Sequence, residues 1–147
     1  MNRPTIAPEL YEAYRSTRYY AWIDKEGLVL QVDSPSSPLK KLMDEHGALS
    51  GCFITAWNPF GEACGEGTNV AANEKLRHVL ANAGWKVFEG EGKGSDDSWP
   101  AEASYLVLGC TRNDAIGLCE AFDQNAVLWF ASDATPQILV HPALEMP

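Results

Sequence analysis

Long apolar runs are missing from this chain. None approaches the ~18 residues that a membrane span requires, and the opening M-N-R-P-T-I-A-P-E-L carries no apolar h-region of a signal peptide. Positive charge is also scarce. Eleven Lys and Arg stand against twenty Asp and Glu in 147 residues, a formal charge of −9. The basic residues are scattered, so no stripe is available to release counterions from a phosphate backbone or to dock on anionic lipid. The expectation is a cytoplasmic protein with neither a nucleic-acid nor a membrane partner. Cysteine pairs of the C-x-x-C type are absent, and the four thiols Cys52, Cys64, Cys110 and Cys119 read as reduced. Three of them lie in segments patterned as core strand or helix. No His, Cys or acidic residues show ligand spacing, so no metal and no cofactor are expected; Asp96-Asp97 is a lone acidic pair in a soft loop.

What is present is a balanced globular composition, 46% hydrophobic and 21% charged, enough for one domain with its own core. Punctuation and periodicity divide the chain. P-E-L-Y-E-A-Y-R-S-T opens a helix at Pro8, with Leu10, Tyr11 and Tyr14 on one face. R-Y-Y-A-W-I-D and L-V-L-Q-V-D form a hairpin through K-E-G, Gly27 supplying positive φ. S-S-P-L-K-K-L-M-D-E-H-G is a short helix capped by Ser37 and stopped by Gly47. C-F-I-T-A-W is apolar almost throughout, which predicts a central strand covered on both faces. A helix from Asn69, its cap, to Ala83 follows. Then come W-K-V-F-E-G and S-Y-L-V-L-G-C as strands, and N-D-A-I-G-L-C-E-A-F as a helix. N-A-V-L-W-F-A-S and Q-I-L-V complete the sheet. This gives one domain over 8–141, with 142–147 as an unstructured tail.

The order from Cys52 to Ser132 is strand, helix, strand, strand, helix, strand. The expected class is α+β: a mixed, mainly antiparallel sheet with a ferredoxin-like split β-α-β core, preceded by an N-terminal helix, a hairpin and a helix. An α/β sandwich is the competing architecture.

Y-R-S-T-R-Y, F-I-T-A-W-N-P, Asn73, W-P-A-E-A-S before L-V-L-G, and F-D-Q-N-A-V-L-W occur in this order. Together they resemble an uncharacterised bacterial family, domain of unknown function 3293, over roughly residues 11 to 140. The resemblance implies no activity and no catalytic residues. It draws attention to Trp57, Asn58, Pro59, Asn73, Trp99, Glu102, Gln124 and Asn125.

The loop N-P-F-G-E-A-C-G-E-G-T turns the chain out of a buried strand toward a helix start, a place where anions are often held. It lacks the spacing and the lysine of a P-loop, and Glu62 and Glu66 would repel a phosphate. Cys64 stands before the helix start and is the best-placed nucleophile, but none of His46, His78 and His141 is spaced to serve it as a base. The stronger candidate is a set of polar residues beside aromatics at element ends. Trp57, Asn58, Asn73, Trp99, Glu102, Gln124 and Asn125 would line a pocket for a small molecule. Glu102 would be a general base or an anchor for a cationic group. Convergence of Asn58 with Gln124 and Asn125 requires their strands to run antiparallel. The alternative is an interaction module that self-associates into a homo-oligomer through a sheet edge or face.

Overall fold

The structure is a computed structural model that describes residues 3–94 and 100–147; Trp99 and the Asp96-Asp97 pair lie outside the described residues. In chain order the elements are α1 (Pro8–Ser16), β1 (Arg18–Ile23), β2 (Glu26–Leu30), α2 (Ser37–Glu45) and β3 (Gly51–Ile54). A single 3-10 turn (Pro59–Gly61) precedes α3 (Glu66–Asn82), β4 (Lys86–Lys93) and β5 (Glu102–Leu108). Then follow α4 (Arg112–Ala121), β6 (Ala126–Phe130) and β7 (Gln137–Val140). The strands form one sheet in the order β2-β1-β4-β5-β3-β6-β7. Every ladder among the described strands is antiparallel, so the sheet is not mixed.

Side-chain alternation sorts the sheet into two cores. Tyr19, Ala21, Leu28, Leu30, Phe53, Leu106, Leu108, Leu128 and Phe130 share one face with Leu39, Leu42 and Met43 of α2, and Tyr11 and Tyr14 of α1 pack against them. Cys52, Ile54, Tyr105, Val107 and Val127 share the other with Leu76 and Leu80 of α3 and with Ala115, Leu118 and Cys119 of α4. The central strand β3 is therefore covered on both faces, and every one of its residues is buried. The N-terminal helices supply the second cover. All four cysteines are free, with only Cys64 exposed.

Several boundaries differ from the sequence expectation for local reasons. The hairpin turns at Asp24-Lys25, because Ile23 pairs with Glu26. Asp24 takes the positive φ of 56°, and Gly27 lies within β2 opposite Trp22. Ser36, not Ser37, caps α2, its hydroxyl accepting from Leu39 N at 3.1 Å. Helix α3 starts a turn early, behind Gly65 at φ 82°, so Asn69 is an inward residue of its first turn rather than a cap. Thr111 caps α4 in a reciprocal box with Asp114. Beyond β7, Glu145 N donates to Pro4 O and Glu145 O accepts from Ile6 N, both at 2.9 Å. Arg3 adds a bond to Pro142 O at 3.0 Å. The segment expected as a loose tail is thus strapped to the strand-like run that leads into α1.

Candidate functional site

The candidate residues lie at the rim where β3 ends and β5 and β6 begin. Ile54 pairs with Tyr105, and Phe53 pairs with Leu128. Continued past the ladder ends, those registers bring the Trp57 position between Glu102 and Gln124. The antiparallel condition for convergence is met.

Most of the rim amides are committed to backbone. The Asn73 Oδ1 accepts from Ala56 N at 2.8 Å, and its Nδ2 donates to Ala103 O at 2.9 Å, tying α3 to the ends of β3 and β5. Asn58 adopts a left-handed conformation at φ 46°, which Asn tolerates better than most residues. Its N–H donates to Asn69 Oδ1 at 2.8 Å, and its Oδ1 accepts from Asn69 Nδ2 at 2.7 Å and from Cys64 N at 3.3 Å. This reciprocal clasp directs the glycine-rich loop. Gln124 Nε2 donates to Trp57 O and Phe122 O, both at 3.3 Å. Phe60, at φ 54°, is held by its N–H to Asp123 O at 2.6 Å, and its ring lies 5.3 Å from that of His141.

A different trio, Tyr14, Glu102 and Asn125, is linked through Tyr14. Tyr19 is opposite Gly92, which is opposite Glu102, so Tyr19 and Glu102 point to the face that α1 covers. The Tyr19 hydroxyl donates to Tyr14 O at 2.8 Å, anchoring the end of α1 over this row. The Tyr14 hydroxyl meets the Asn125 side chain and lies within electrostatic reach of Glu102. Burial pushes the Tyr14 phenol up to about 12, and the Glu102 and Cys119 charges add to that, against the Asn125 hydrogen bond. Burial also pushes Tyr19 upward, with Tyr14 and Glu102 adding and a Thr17 hydrogen bond opposing. Glu102 is half-buried, and burial alone raises its pKa. Among the described residues its carboxylate receives no hydrogen bond and no ion pair. It is a desolvated acid without a compensating cation.

The other candidates are placed as follows. Trp57 is half-buried at the rim. Cys64 is exposed, its thiol donating to Glu62 O at 3.3 Å. His46 meets Phe88 edge-on and His141 meets Phe60; among the described residues no imidazole contacts Cys64. The Cys52 and Cys119 thiols are raised, Cys52 by its hydrogen bond with Cys110 and then by burial, Cys119 to about 12 by burial and then Glu120. They remain protonated packing groups near neutral pH. No group of three His, Cys, Asp or Glu is arranged for a metal among the described residues. On the opposite face of the sheet a shallow groove of about 360 Å³ runs between α3 and α4, lined by Ala72, Lys75, Val79, Leu118 and Phe122.

Tyr14 and Tyr19 escaped the sequence reading as site residues. They open and close the Y-R-S-T-R-Y motif, and that spacing lets one hydroxyl bind the other's carbonyl. Two tyrosines bracketing a helix–strand joint were the available signal.

A family model described as "Protein of unknown function (DUF3293)" matches residues 54–127. That stretch runs from the end of β3 to the start of β6 and includes Asn58, Glu102, Gln124 and Asn125, while Tyr14 comes from the helix before it. No curated protein and no solved structure matches the chain. The match spans half of the 147 residues and agrees with the motifs read from the sequence, and the chain belongs to this family of unknown function.

Proposed function

We propose that this is a small-molecule-binding domain whose site is the rim bearing Glu102, Tyr14 and Asn125. Trp57 is a wall of that site, and Asn58, Asn73 and Gln124 hold its loops. The observation that carries this reading is the Glu102 carboxylate: half-buried, unpaired among the described residues, and within electrostatic reach of the Tyr14 hydroxyl, which itself meets the Asn125 side chain. Folding gains nothing by desolvating a lone carboxylate, and groups kept at such a cost are frequent at binding sites. The site sits on a split β-α-β core of ferredoxin-like type. The order β4-β5-β3-β6 and the two crossover helices α3 and α4 support that description. In this reading the cytoplasm is its setting.

A thermal-shift screen of a metabolite library tests it, because a specific ligand raises Tm by mass action. Compounds that stabilise the protein should lose most of their effect in Glu102→Gln, Tyr14→Phe or Asn125→Ala. A library without a stabilising compound, or stabilisation indifferent to all three substitutions, contradicts the reading.

A second reading, self-association, draws on one feature. Trp22 and Val29 are 46% and 44% exposed on β1 and β2, next to the open edge of β2, and Tyr20 stacks on Trp22. Sedimentation of the full chain over a range of concentrations, with Trp22→Ser as control, decides it. A homo-oligomer dispersed by that substitution supports the reading, and a monomer at every concentration refutes it.

A further inference from the structure

We infer that the rim takes a small organic cation carrying N–H groups, an ammonium or a guanidinium; the inference rests on the binding reading above. The charged group left over at the rim is an acceptor. The ionised Glu102 offers only acceptor oxygens, while the Tyr14 hydroxyl and the Asn125 amide can each donate or accept.

Among the described residues, what the rim lacks is the opposite charge. Arg15, the cation adjacent to Tyr14 on α1, turns toward Glu12 at 4.0 Å and Asp33 at 3.8 Å. Arg18 alternates with Tyr19 and Lys93 with Gly92, so both fall on the opposite face of the sheet from Glu102. A ligand cation would take the place these residues leave.

Other ligand classes fit less well. An anion would set a second negative charge against Glu102 away from bulk water. A neutral ligand would bury the carboxylate further without neutralising it. A quaternary ammonium has charge but no N–H to give to Glu102 or Asn125.

The test is calorimetric titration of the full chain with four compounds of similar size: 1,4-diaminobutane, 1,4-butanediol, succinate and tetramethylammonium. Guanidinium-bearing agmatine serves as a second N–H cation. Since a protein of charge −9 attracts any cation weakly, Glu26→Gln, at the far hairpin, removes the same charge away from the rim. Binding of diaminobutane or agmatine, weakened tenfold or more by Glu102→Gln and unchanged by Glu26→Gln, is the expected result. Equal binding of butanediol, succinate or tetramethylammonium overturns the inference. So does equal weakening by the two substitutions, or no binding of either N–H cation. If the cations fail while library compounds of another class still depend on Tyr14 and Asn125, the cation class falls and the rim site stands. If no compound of any class depends on those residues, both fall.

Discussion

Glu102 and Asn73 are both polar residues at the ends of buried strands, and their surroundings separate their roles. Burial raises the Glu102 pKa, and among the described residues no hydrogen bond or cation offsets it. A carboxyl that holds its proton more tightly when folded costs stability as pH rises from the unfolded value through the folded one, and the cost is complete above that. Glu102→Gln should therefore raise Tm at pH 7 to 8, with the gain vanishing as pH falls below the ordinary carboxylate range. Scanning calorimetry across pH checks this, and a substitution that destabilises at neutral pH would point to an undetected partner. Asn73 shows the opposite pattern. Its removal orphans the N–H of Ala56, which is 1% exposed, so Asn73→Ala should cost about 1–3 kcal/mol in urea denaturation. The sequence marked both residues as unusual but could not separate them. An amide that clamps backbone and a carboxylate left without a described partner have the same one-dimensional signature, a polar side chain at a strand end. Tyr14 was legible only as part of an apolar helical face, because its hydroxyl meets Asn125 across more than a hundred residues of chain.

At the scale of elements, apolar pattern identified the strands and helices and local chemistry displaced their ends. The all-buried β3 and the buried run of β5 follow directly from their apolar residues. Helix α3 began earlier than its Asn69 because the Asn58 clasp draws that side chain inward and leaves Gly65 to start the helix. The hairpin turn moved to Asp24 for a comparable reason, since Gly27 is needed in the strand, where a Cβ would stand 3.0 Å from the Trp22 ring. Glycine has a sharper role in β4, which must lie close against β1 for Tyr19 to line up with Glu102. A Cβ at Gly90 would run into the Tyr20 carbonyl and approach the Phe53 ring to 3.2 Å, whereas at Gly92 it would meet the Tyr19 ring at an ordinary 3.5 Å. Gly90→Ala should thus destabilise by about 1–3 kcal/mol or more, while Gly92→Ala stays close to wild type. Equal urea midpoints for the two variants would contradict the close approach of β1 and β4.

On the scale of the whole molecule, the sheet separates two cores and the ends of the chain meet. The sequence showed that β3 needed cover on both faces and which segments were free to provide it. It gave no sign of the strap between residues 3–6 and 142–145, because those backbone bonds carry no side-chain pattern. That strap matters for the site, since it leads directly into α1 and so helps hold Tyr14 over a rim built by β5 and β6. The most direct test is an amide chemical-shift map of the isotopically labelled protein, titrated with whichever compound raises its Tm most. The account predicts that the perturbed resonances gather around residues 14, 19, 102 and 125. Perturbations confined to the groove between α3 and α4, or to the exposed β1–β2 hairpin, would contradict it.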